Sequence, residues 1–182
     1  MSSFDQENLS HNSHLKEILS SQDPYKFKWV DNTYLFITEL GLTYSVYFSA
    51  CVSKLYIEYD NWCNNVYEMG FDVKGGLPDD FGHDKRIEET IISIVSLFFK
   101  NNENILLYVC ETLDGDEFLR YRLFNQWFFR YNKEHKTLEK LNHNGNLCGT
   151  KIYSSFIFNK NHPFYNEVIV AFTEVCNNIY ND

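Results

Sequence analysis

Residues Asp79-Asp80-Phe81-Gly82-His83-Asp84 place three carboxylates and an imidazole within six positions. Carboxylate oxygens and an imidazole nitrogen suit a hard or borderline metal ion. Asp79, Asp80 and His83 are therefore the candidate metal ligands, and a solvated loop is the competing reading. In that second reading Asp84 serves as a helix N-cap, its carboxylate accepting from free backbone N–H groups. No further ligand is identifiable at a distance in the sequence. Asp114-Gly115-Asp116-Glu117 lacks the D-x-D-x-D-G register and the distant glutamate of a calcium loop. It reads as a turn with acidic residues at a helix start. Lys74-Gly75-Gly76 lacks the phosphate-loop register, and no G-x-S-x-G is present. His11 and His14 are spaced i, i+3 but lie in a polar arm, His135 and His143 fall in a polar region and a turn, and His162 precedes Pro163 at a helix start.

The five cysteines, Cys51, Cys63, Cys110, Cys148 and Cys176, form no C-x-x-C. That spacing fits neither a zinc ribbon nor a disulfide framework, and reduced structural thiols are expected. A cysteine–histidine enzyme would need activating neighbours that spacing does not reveal. No catalytic residue and no cofactor motif is assigned, so a non-enzymatic reading is preferred to an enzymatic one.

A second constellation is Arg120, Arg122, Trp127, Phe128 and Arg130, with Phe129 and Tyr131. Arginine beside aromatic residues is the composition of interface hot spots. At helical spacing the same residues also read as a core stripe with a solvated flank. The five are the candidate partner-binding residues. The chain is rich in such side chains, with 18% aromatic residues, 16 Phe and 13 Tyr.

The elements that must position these groups follow from the pattern. Residues 1–23 form a flexible polar N-terminal arm, with one helical turn at Leu15–Leu19, and residues 24–182 form a single α+β domain. Tyr25–Trp29 alternates aromatic and basic residues, the period of a half-exposed strand. Asp31-Asn32 is a turn, Tyr34–Thr38 and Leu42–Val52 are extended, and a fourth strand falls near Val66–Val73. The loop from Lys74 to Asp84 leads into a helix carrying Ile87, Ile91, Ile94 and Phe98 at helical spacing. Ile105–Cys110 is a continuous apolar run, as in an interior strand. A second helix carries the stripe Leu119, Leu123, Trp127 and Tyr131. A weak strand at Thr137–Leu141, a turn at Asn142–Asn146 and a stronger strand at Ile152–Phe158 follow. Pro163 opens a last helix, with Val168, Phe172 and Cys176 inward. The order ββββ-α-β-α-ββ-α gives an α+β fold: a mostly antiparallel sheet of six to seven strands, with three helices expected on one face.

The formal charge of −9 argues against nucleic acid and anionic membrane surfaces as partners, since both demand basic patches. No basic-plus-apolar leader and no apolar run of membrane-spanning length is visible, so a cytoplasmic location is expected.

Tyr25 to Phe48 resembles the opening of an uncharacterised family of small cytosolic proteins common in Bacteroidota, a domain of unknown function. The shared features are a Y-x-F strand, an aromatic strand, a turn, and a strand alternating Tyr and Phe. The resemblance continues through Ile105–Cys110, Phe124-Asn125-Gln126-Trp127-Phe128 and Tyr153-Ser154-Ser155-Phe156, and ends at Asn161-His162-Pro163. It spans about residues 24–180 and implies a single domain, with aromatic structural motifs and no activity to transfer.

Three functions are compatible with these features. The first is a protein-interaction module with an unidentified protein partner, in a bacterial toxin or defence setting. The second is a metal- or small-molecule-binding enzyme built on the acidic loop 79–84. The third is a structural subunit of a larger assembly.

Overall fold

The computed structural model describes residues 23–51, 61–74, 84–110, 117–147 and 150–179. Among these residues, seven strands and three helices follow in the order ββββ-α-β-α-ββ-α. The strands are β1 (Phe27–Val30), β2 (Thr33–Ile37), β3 (Thr43–Ala50), β4 (Val66–Lys74), β5 (Ile105–Cys110), β6 (Leu138–Leu147) and β7 (Thr150–Asn159). The helices are α1 (Lys85–Phe98), α2 (Glu117–His135) and α3 (Tyr165–Ile179). One α+β sheet results, in the order β1-β2-β3-β4-β5-β7-β6. The N-terminal arm, but for Asp23, falls outside the described residues.

The first four strands form a meander because their connections are short. Asp31 and Asn32 join β1 to β2 with φ of 48° and 60°. Left-handed backbone at both positions is the hairpin turn whose twist matches the strands it joins. Gly41, with φ of 78°, turns β2 into β3. After β4 the chain crosses over through α1, and β5 returns parallel to β4, as such a crossover requires. The β4–β5 ladder is short. It pairs Val66–Glu68 with Ile105–Leu107, while β4 stays paired with β3 as far as Lys74 and β5 with β7 as far as Cys110. The sheet therefore opens between Met69 and Tyr108.

Side-chain alternation gives the sheet two apolar faces. On one, Tyr44, Val46, Tyr67, Met69, Leu106, Tyr108 and Ile157 meet α1 and α2. On the other, Val66, Ile105, Leu107, Phe156 and Phe158 meet Val168, Ala171, Phe172 and Cys176 of α3. The expectation of helices on one face is thus corrected. β5 and β7 carry apolar residues at consecutive positions, the mark of strands covered on both sides.

One boundary and one helix face also differ from the sequence reading. β6 continues through Asn142–Asn146, expected as a turn, and stays paired with β7 as far as Leu147. The polar asparagines are accommodated because β6 is an edge strand. Leu119 belongs to the outer side of α2 and is 58% exposed. The inner stripe runs instead through Tyr121, Phe124, Trp127, Phe128 and Tyr131.

Candidate functional site

The side chains that line the sheet opening come from every element around it. Met69 of β4 and Leu106 and Tyr108 of β5 form the floor. Ile91, Val95 and Phe99 wall one side, and Phe124, Trp127, Phe128 and Tyr131 of α2 the other. They line a partly open apolar cavity of ≈ 50 Å³. The indole N–H of Trp127 is buried and has no hydrogen-bond acceptor among the described residues. A buried donor of this kind is uncommon in a folded protein.

Beside the cavity stands Lys140. Alternation along β6 puts it on the same face as buried Leu138, opposite α2. Its ammonium lies 5.0 Å from the ring centroid of Tyr108, 5.7 Å from Tyr121 and 5.4 Å from Phe128. Those distances are within cation–π range. Nζ donates to Asn125 Oδ1. No carboxylate pairs with it among the described residues. Burial lowers its pKa to about 8, with the nearby Cys110 thiol opposing the shift. Tyr108 and Phe128 belong both to this cage and to the cavity wall, so these two rings stand between the Lys140 amine and the cavity, which Lys140 does not itself line. Burial also raises the Tyr108 hydroxyl above the ordinary phenol value.

The candidate partner-binding residues are divided by the fold. Trp127 and Phe128 face the sheet and line the cavity. Arg130 ties α2 to α1, donating to Glu88 and, at 2.6 Å, to Glu89. Glu88 is buried, so this fork neutralises a carboxylate that burial would otherwise penalise. Arg120 is half-buried, and Arg122 is exposed, 5.9 Å from the Phe118 ring. Phe118, Leu119, Arg122 and Phe129 all lie on the exposed side of α2, and the three apolar members are 49%, 58% and 64% exposed.

The metal candidates Asp79, Asp80 and His83 lie outside the described residues. Asp84 is described, and its carboxylate does cap α1: Oδ1 accepts from Arg86 N–H at 2.9 Å. Its Oδ2 accepts from the Tyr25 hydroxyl at 2.7 Å. Among the described residues no group of three His, Cys, Asp or Glu could hold a metal ion. His162 is used structurally: Nδ1 accepts from Phe164 N–H at 3.1 Å, and burial lowers its pKa. Cys110 and Cys176 are buried, and burial pushes the Cys176 thiol up to about 11, away from reactivity.

Sequence reasoning missed Lys140. In the sequence Lys140 closes a basic stretch that begins at Arg120 and is interrupted by Glu134 and Glu139, a pattern that reads as a solvated face. The available signal was the two-residue period from Leu138 to Lys140. It was obscured because Glu139, Leu141 and His143 make the other face equally mixed.

The model of a family of unknown function, DUF6169, matches residues 83–174, a little over half of the chain. That span holds α1, β5, α2, β6, β7 and most of α3, and with them Lys140 and all of the cavity wall but Met69. No curated protein matches this sequence. Among solved structures, the crystal structure of the AHL synthase LasI is similar with a TM-score of 0.33 and 10% identity. The alignment covers 78% of this chain and 77% of that one. A similarity of that size carries no statement about fold or chemistry here.

Proposed function

The chain belongs to the DUF6169 family, whose function is not known, and we propose that it is a non-enzymatic protein-interaction module that docks a partner on the outer side of α2. The observation that carries this reading is the exposure of Phe118, Leu119 and Phe129 beside Arg122 on one side of one helix. A single exposed leucine needs no explanation, but two phenylalanines and a leucine grouped around an arginine have the composition of a hot spot. The interaction face is therefore Phe118, Leu119, Arg122 and Phe129. Trp127, Phe128 and Arg130 instead hold α2 in place behind it.

The same proposal sets the protein in the cytoplasm of a bacterium of the Bacteroidota, as the sequence resemblance over about residues 24–180 implies, with a toxin or defence context as the setting. Its net charge of −9 favours a protein partner over nucleic acid or an anionic membrane. No helix among the described residues is long and apolar enough to cross a membrane.

The test is native mass spectrometry of tagged protein purified gently from its own host, with the parent and the double variant Phe118→Ser, Phe129→Ser. A stoichiometric protein partner is expected on the parent and not on the variant, with the variant still folding cooperatively at a somewhat lower midpoint, since Phe118 rests on Tyr153 and Phe129 on Phe128. A partner that remains on the variant, or a parent that is a bare monomer, rejects this face.

A further inference from the structure

The docking face leaves the other side of α2 unexplained. Lys140 and the cavity lie there, and they carry an inference independent of the docking face. We propose that the space between α2 and the sheet is a binding site for a short-chain apolar carboxylate, with Lys140 holding the anionic head and the cavity receiving the alkyl tail.

The sign of the ligand's charge follows from what surrounds the amine. Acidic residues outnumber basic ones, 25 to 16. The buried Glu88 has Arg130, and Arg86 has Glu39. Lys140 has three rings and one amide oxygen. An ammonium has three donors, and Asn125 Oδ1 is the acceptor that serves it. At the cavity wall the Trp127 indole N–H and the Tyr108 hydroxyl are both buried without a hydrogen-bond partner among the described residues; the first is a donor only, and the second can donate. A ligand that completes this site must therefore bring acceptors, and against a cation the favourable acceptor is an anion.

The rest of the ligand is set by the cavity. Its lining is aliphatic and aromatic, so the tail must be apolar. At ≈ 50 Å³ it is larger than the roughly 10–15 Å³ that one water needs and far smaller than the roughly 150 Å³ of a cavity that admits benzene. A tail of about three or four carbons fits between these limits. The cavity also sits where β4 and β5, the parallel pair of the sheet, part toward their carboxyl ends, a crevice of the kind in which open α/β sheets bind ligands.

Sodium butyrate and 1-butanol are the probes, titrated at pH 7 into the full chain and into Lys140→Met while amide spectra are recorded. Butyrate is expected to bind the parent at least tenfold more tightly than butanol, shifting amides of Tyr108, Phe128 and Lys140. In Lys140→Met that preference is expected to vanish while butanol still binds. Equal affinities of the parent for the two probes, shifts confined to other parts of the chain, or a preference that survives in the variant each overturn the proposal. The comparison within the parent decides the question even where the variant is unstable.

Discussion

An ammonium held by Tyr108, Tyr121 and Phe128 is a charge that the fold keeps at a cost. Water would solvate it better than three rings and one amide, which is why its pKa falls to about 8 from the ordinary 10.5. The consequence for stability has a definite sign. Below pH 8 the amine is charged in the folded and the unfolded chain alike, and the desolvation penalty is present in full. Between about 8 and 10.5 the folded chain has shed the proton and the unfolded chain still binds it. Unfolding then takes up a proton, so this group's contribution to stability rises with pH across that window. The measurement is urea unfolding of the parent and of Lys140→Met at pH 7 and pH 10. The parent is expected to gain relative to the variant at the higher pH, whatever constant offset the orphaned Asn125 amide adds. A difference between the two proteins that does not move with pH would mean that Lys140 is solvated in the folded state.

At the scale of elements, α1 is where sequence and structure agree most closely. Asp84 was legible as a cap because the acidic residue stands directly before an apolar 3.6-residue period, and local chemistry alone decides such a position. Here the cap does more than stop fraying. The same carboxylate accepts the Tyr25 hydroxyl, and Tyr25 N–H donates to Thr90 Oγ1 at 2.8 Å, so the segment before β1 is fastened to α1. Asp84→Ala is expected to cost about 1 kcal/mol or somewhat more, with Asp84→Asn recovering most of it. Chemical denaturation reads both. An alanine variant as stable as the parent would show that the cap and its Tyr25 bond contribute nothing net. α2 was less legible for the converse reason. Its sequence is aromatic on nearly every side, so periodicity could not say whether Leu119 or Tyr121 turns inward. The choice is made by what waits on the sheet, namely Tyr153 for Tyr121 and Tyr108 for Phe124. The candidate site shared that fate: Trp127 and Phe128 were visible as unusual residues, but their partners Lys140 and Tyr108 come from strands at other points of the chain.

At the scale of the whole molecule, the sheet is unevenly protected. The order of elements was readable because strands block together before helices begin to alternate with them. That helices cover both faces was not, since α3 and α1 have similar apolar stripes and nothing local assigns a face to either. The arrangement leaves β5 and β7 sealed on both sides, with Ile105, Phe156 and Phe158 fully buried. β1 is a four-residue edge strand whose Trp29 and Val30 are exposed. Over β1 to β4 the face away from α1 carries exposed Ser49, Glu68, Asp72 and Lys74. Opening a strand buried on both faces requires breaking both cores, whereas β1 parts from β2 by releasing the contacts of Phe27 and Trp29 with Tyr34 at the sheet edge. Amide hydrogen exchange reads this difference directly. The amides of Leu106–Tyr108 and Ser155–Ile157 are expected to exchange only through global unfolding. Those of Lys28–Val30 are expected to exchange faster by a factor on the order of 100 or more, equivalent to about 2.7 kcal/mol of cheaper opening. Equal protection across all seven strands would instead mean that the sheet opens as one unit. The gap between Met69 and Tyr108 would then be no seam in its cooperativity.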